Sequence, residues 1–221
     1  MKLFTQAVLK FLLGVVLIAA LLLLPAGTWH YWNAWLLMGL LFIPMFIAGL
    51  VMMKKNPGLL RSRLNAREKE GEQQMVVKLS GLMFLCGFIV AGLNFRFGWS
   101  QLPRWVIMAA STLFLLAYAL YAEVLRENVW LSRTVEVQEN QKVIDTGLYG
   151  VVRHPMYMST LLLFLSMPLV LGSVLSFAIM LAYIPIIAKR IRNEEKVLES
   201  GLEGYAEYKR RVRYKVIPLV W

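Results

Sequence analysis

The chain has 221 residues, 59% of them hydrophobic, with a mean hydropathy of +0.60. Soluble domains use roughly 45–50% apolar residues, so a water-soluble globule is excluded and an integral membrane protein is expected. The formal net charge is +11, but its cations are spread over segments that flank apolar runs, which argues against a nucleic-acid partner and for topology signals and anionic headgroups.

The first apolar run, Phe11–Leu24, reaches the ~20 residues of a bilayer span by taking in Ala7–Leu9 while Lys10 snorkels. Lys2 and Lys10 around an apolar core also fit a cleaved leader. No Ala-x-Ala-like site precedes Pro25, however, so the segment reads as a retained helix. Trp32–Met53 and Trp105–Leu125 are long enough to span. Leu79–Phe95 is short and is expected to start near Met75. Met156–Leu171 and Val174–Ala188, divided by Gly172 and Ser173, read as a tight helical hairpin that spans fully or in part. The expected fold is therefore an all-α integral membrane protein of one domain, 1–221. It has five to six hydrophobic helices, four of them spanning, followed by the C-terminal hairpin.

Lys and Arg number 2, 0, 7, 2, 4 and 9 over the N-terminal segment, the four connections and the tail. That alternation puts the N-terminus, the second and fourth connections and the tail in the cytoplasm. Trp29, Tyr31, Trp32 and Trp35 then form an aromatic belt at the opposite face. A prokaryotic plasma membrane is the expected location. The single Cys86 falls in the third helix, so one chain can form neither a disulfide framework nor a cysteine zinc site, and no metal site is expected.

Gly14, Gly39, Gly49, Gly81, Gly87 and Gly92 are expected to let helices approach closely. The loop Lys54–Lys78 opens on a turn signal, Asn56-Pro57-Gly58. It continues either as a surface amphipathic segment or as a solvated basic loop. Glu123 and Arg126 are spaced i,i+3 and are expected to pair. Asn128 leads into the loop Trp130–Thr146, where Val135, Val137, Val143 and Ile144 suggest extended chain or a hairpin about Glu139-Asn140-Gln141. After Lys189 the chain reads as helix, turn at Gly201 and Gly204, then a short helix carrying Tyr205, Tyr208 and Val212. Val216-Ile217-Pro218 closes it.

The chemistry concentrates at the two ends of the hairpin. Arg153-His154-Pro155-Met156-Tyr157 sits before and within a helix start, since Pro155 is favoured in a first turn. Free amides and the positive helix end make this a candidate anion site; the bland alternative is a positive-inside Arg and a capping His. At the exit stand Arg190, Glu194 and Glu195. A hairpin returns its exit to its entrance, so this carboxylate pair is expected to face Arg153, His154 and Tyr157. It would then bind ligand hydroxyls or an ammonium, or simply complete a salt-bridge network.

These residues resemble the isoprenylcysteine carboxyl methyltransferase family of membrane enzymes. The resemblance runs from Asn128 through Val143–Tyr149, Arg153–Tyr157, Arg190, Glu194 and Glu195 to Tyr205-Ala206-Glu207-Tyr208, Val212 and Pro218. Membrane phospholipid N-methyltransferases share the pattern. Two positions depart from it: Leu148, where Pro is usual, and Leu202-Glu203-Gly204, where Phe-Gly is usual. Hydropathy gives transmembrane helices over 1–127, and the resemblance implies a cytosolic cofactor-binding and catalytic region over 128–221. It implies S-adenosyl-L-methionine as methyl donor and a lipophilic or prenylated acceptor arriving from the bilayer. It implies cofactor contacts at Asn128, Tyr149, His154, Tyr157, Arg190 and Glu195, and a reaction centre lined by Arg153, Glu194 and Glu195. Carboxyl O-methylation is expected, with N- or S-methylation as variants.

Two other readings compete. Membrane sterol and steroid reductases, which use NADPH, carry a similar Arg-His-x-x-Tyr block. Their exit motif reads Arg-x-x-Arg-Asp, whereas here Asn193 and Glu194 stand at those last two positions. A non-enzymatic membrane protein such as a transporter would place polar groups at the midplane, where the first four helices carry almost none.

Overall fold

The computed structural model describes residues 2–64, 71–131 and 137–221. The described residues form helices and turns and no strand. The helices are α1 (Lys2–Ala26), α2 (Trp32–Lys55), α3 (Pro57–Leu64), α4 (Gly71–Phe97), α5 (Arg104–Glu127), α6 (Pro155–Val170), α7 (Val174–Met180), α8 (Tyr183–Gly201) and α9 (Tyr205–Arg211). A short 3₁₀ turn, Gly147–Gly150, precedes α6.

Helices α1, α2, α4 and α5, and the stretch Val174–Gly201, are long and apolar enough to cross a membrane. Helix α6, with 16 residues, is shorter. Helix α4 starts at Gly71, four residues before the expected Met75. The first turn of α4 is polar, so hydropathy alone does not reveal it. The hairpin's second arm breaks between α7 and α8, and α8 then runs past the apolar stretch to Gly201.

The core sits where α1, α2, α4, α5 and the hairpin meet. Leu22, Leu37, Ala91, Phe114, Val170 and Met180 are among its most enclosed members. Gly92 in α4 permits one close approach. A Cβ there would lie 2.6 Å from the Leu22 carbonyl oxygen of α1. Gly87 does the same against Met180, whereas Gly49 and Gly81 face open space and serve no contact. Outward faces of α1 and α2 stay apolar and exposed, as with Leu13, Val16 and Ile43. Lipid covers such surface in a membrane protein.

At one end of the bundle the tryptophans Trp29, Trp32 and Trp35 are exposed, and Trp29 stacks on Trp35. Tyr31 departs from the expected belt. It is fully buried, donates 2.8 Å to the Leu171 carbonyl and stacks on Phe95. Beside it the Asn33 amide donates 2.8 Å to the Val170 carbonyl. Both bonds satisfy carbonyls that the end of α6 leaves open.

The opposite end carries the connections. Asn56-Pro57-Gly58 is a helix start and not merely a turn. The Asn56 side chain caps the Leu59 amide at 3.0 Å and Pro57 takes the first position of α3. Leu60 of α3 is buried and Arg61 exposed. Glu123 and Arg126 pair at 2.8 Å, as their spacing predicts. Of the loop after α5, the turn at Gln138–Gln141 is described, with Asn140 at φ 59°. Val135 lies outside the described residues.

Candidate functional site

The hairpin entrance and exit do meet, at the end of the bundle opposite the tryptophans. The Arg153 Nε donates 2.8 Å to Glu195 Oε1, and His154 Nε2 lies 3.3 Å from the same oxygen. Lys215 Nζ reaches Glu195 Oε2 at 3.2 Å. The other Arg153 nitrogen Nη1 donates to the Val212 and Arg213 carbonyls at 2.7 and 2.8 Å. This explains why α9 ends at Arg211 and not near Pro218. The carbonyls beyond it belong to Arg153. The strand-like return continues in the backbone, where the Arg153 and His154 amides donate to the Tyr214 and Lys215 carbonyls at 2.9 and 2.8 Å. Those two amides are therefore used by the tail, which takes them out of the anion site expected before α6.

A second, adjacent set faces open space. Tyr157 donates its hydroxyl hydrogen to Glu194 and accepts 2.9 Å from Arg190 Nε. The Arg190 Nη1 lies 3.4 Å from Gln73 Oε1 of α4. Gln73 is 1% exposed, so it braces the site from a helix well outside the motif. His154 Nδ1 lies 4.0 Å from Glu194 Oε1. The His154 side chain makes no cap on α6; its ring belongs to the two glutamates.

Tyr149 and Asn128 form a third corner. Asn128 Nδ2 donates 2.9 Å to the Tyr149 hydroxyl, while its Oδ1 accepts from the Trp130 amide at 3.0 Å. The Tyr208 hydroxyl donates 2.8 Å to the Tyr149 carbonyl. Burial pushes both phenols, Tyr149 and Tyr208, well above the usual tyrosine range, so both are neutral hydrogen-bonding groups. Leu202, Tyr205, Tyr208 and Val212 pack with Val137 and Val143 into a small second core, which holds α9 and the loop over the site. Ion pairs of Lys209 with Glu199 and of Arg211 with Asp145 tie α9 at its surface.

These three corners line a cleft of about 100 Å³ that opens on one side. Asn128, Tyr149, Arg153, His154, Tyr157, Arg190 and Glu194 line it. Glu195 is 4% exposed and stands behind the lining, against Arg153. So the paired carboxylates part company. Glu194 faces the cleft, and Glu195 anchors the wall. Residues that sequence reasoning passed over are Gln73, Lys215 and Glu127.

Glu127 accepts the Leu148 amide at 3.0 Å, just where Gly147 turns at φ 54°. A Cβ on Gly147 would run into the Glu127 carboxylate. Gly147→Ala should therefore cost about 1–3 kcal/mol through strain and the lost amide bond. A fall in melting temperature reads this out. An unchanged melt would refute the role given to the turn.

Two curated proteins are similar to parts of this chain. A Delta(14)-sterol reductase of Mus musculus is 30% identical over 91 residues, 40% of this chain and 22% of that protein. The cobalt-zinc-cadmium resistance protein CzcN of Cupriavidus metallidurans is 32% identical over 126 residues, 56% of each chain. The chain thus spans about a fifth and just over half of these relatives. Among family descriptions, phospholipid methyltransferase matches residues 105–203. That segment takes in α5, the 3₁₀ turn, the hairpin and every residue of the three corners except Gln73 and the tail. The segment that builds most of the cleft is therefore similar to phospholipid methyltransferases.

Proposed function

We propose that the chain transfers a methyl group from S-adenosylmethionine to a lipophilic acceptor drawn from the membrane. The observation that carries this reading is the cleft itself. It is polar and aromatic, lies at one end of an apolar helix bundle, and is made by the segment similar to membrane methyltransferases. Its donor set suits a zwitterionic nucleoside ligand. Glu194 offers a carboxylate to an ammonium or to ribose hydroxyls; Arg190, Tyr149 and His154 offer hydrogen bonds to its carboxylate and base. Bound there, S-adenosylmethionine would supply a methyl group already activated as a sulfonium.

The protein's share is then alignment in a confined site. Glu195 holds Arg153 and His154 in place, and Asn128 orients Tyr149. A carboxylate acceptor is ionised at neutral pH and needs no base, which favours O-methylation. For an amine or thiol acceptor, Glu194 or His154 would take the proton. From the Lys and Arg bias we place this end of the bundle in the cytoplasm.

The reductase reading keeps one observation in its favour, the similarity to the mouse sterol reductase over 91 residues. Against it stands Asn193, where the second Arg of the reductase exit motif would sit. Titration separates the two. The full chain in detergent should be stabilised by S-adenosylhomocysteine and not by NADP, by about 2.7 kcal/mol at a hundred times the Kd. Stabilisation by NADP alone would reverse the order. A lipophilic acceptor also predicts chain-length dependence. A long-chain acceptor should be turned over far more efficiently than its short, water-soluble analogue; equal efficiencies would remove the membrane from the substrate's path.

A further inference from the structure

Tyr205 stands at the first position of α9, directly after Gly204 at φ 81°. Its side chain is 4% exposed, and it lines the cleft. Its hydroxyl has no hydrogen-bond partner among the described residues. The neighbouring tyrosines differ. Tyr208 donates to the Tyr149 carbonyl, Tyr149 accepts from Asn128, and Tyr157 is shared by Arg190 and Glu194. The hydroxyl of every other tyrosine of the cleft has a protein partner, and that of Tyr205 has none among the described residues.

A buried hydroxyl without a partner costs about 1–3 kcal/mol. A Phe in this place would fill the same second core, beside Leu202 and Val212, without that cost. The hydroxyl therefore has a use that the protein alone does not supply. We infer that Tyr205 hydrogen-bonds the nucleoside ligand of the cleft, from the tail side, opposite Glu194 and Tyr157. This rests on the methyl-donor reading above and adds to it a contact from α9, which lies beyond the residues 105–203 matched as phospholipid methyltransferase. The ligand atom is an oxygen or ring nitrogen, since a phenol kept neutral by burial donates one hydrogen and accepts one.

The experiment compares Tyr205→Phe with wild type and with Tyr208→Phe, each as full chain in detergent. Two quantities are read: melting temperature without ligand, and affinity for S-adenosylhomocysteine. Tyr205→Phe should melt at or above the wild-type temperature and bind the ligand about five- to tenfold more weakly. Tyr208→Phe should lower the melt, because its hydroxyl bonds the Tyr149 carbonyl. A lowered melt for Tyr205→Phe would show a protein partner and overturn the inference. So would unchanged affinity, the result expected if water alone serves the hydroxyl. Failure of the wild type to bind S-adenosylhomocysteine would instead overturn the methyl-donor reading on which the inference rests.

Discussion

Replacing Glu195 with Ala should release the C-terminal tail and lower the stability of the protein by about 3–5 kcal/mol, the scale of a buried ion pair broken on one side. The Glu195 and Arg153 side chains are 5% and 4% exposed, so water cannot replace the lost partner. His154 and Lys215 lose their anion at the same time. Arg153 would keep its bonds to the Val212 and Arg213 carbonyls but hold an uncompensated charge among them. The tail is fastened to the hairpin by this guanidinium and by two backbone bonds, so it should become sensitive to protease after Gly201. Melting temperature and limited proteolysis read both effects. A variant as stable and as resistant as wild type would remove Glu195 from its anchoring role.

Glu194→Gln should behave in the opposite way. Its carboxylate faces the cleft, and its partner Tyr157 keeps the Arg190 bond. Gln preserves shape and a carbonyl acceptor, so the fold should stand with its melt close to wild type. The affinity for S-adenosylhomocysteine should fall by about 1.5–3 kcal/mol, the contribution of a hydrogen bond to a charged group. The two neighbouring glutamates thus separate anchoring from binding. If Glu194→Gln lost stability and kept affinity, the assignment of the two carboxylates would be inverted.

The difference between these neighbours was readable in the sequence, though not from the motif. Tyr183, Ile187, Ile191 and Glu195 recur at i,i+4 and form the buried stripe of α8. Arg190, Glu194 and Leu198 form the next stripe, and it faces the cleft. One helical position is a turn of about 100°, so adjacent carboxylates cannot share a face. Treating Glu194 and Glu195 as a pair hid this. The membrane helices were legible because hydropathy reports them directly, and the hairpin's geometry brought Arg153, His154 and Tyr157 to the glutamates as expected. Gln73 was not legible. It is a polar residue in the first turn of α4, within a stretch whose sequence reads as a charged loop, and only tertiary packing reveals that it is enclosed against Arg190. Tyr31 was misplaced for a related reason. Its neighbours Trp29, Trp32 and Trp35 do face outward, but the carbonyls left open at the end of α6 draw the Tyr31 hydroxyl inward. The return of the tail onto Arg153 left no hydropathy signal, because its bonds are made by backbone carbonyls that every residue carries.

The central claim is methyl transfer to a membrane-derived acceptor, and one measurement meets it most directly. The full chain, purified in detergent, is incubated with S-adenosylmethionine carrying a labelled methyl group and a membrane-lipid extract. The products are then partitioned between organic solvent and water. The account predicts that label enters an organic-soluble product, and that Glu194→Gln, folded as wild type, sharply reduces it. No transfer from the wild-type protein, or label appearing only in water-soluble product, would contradict the account.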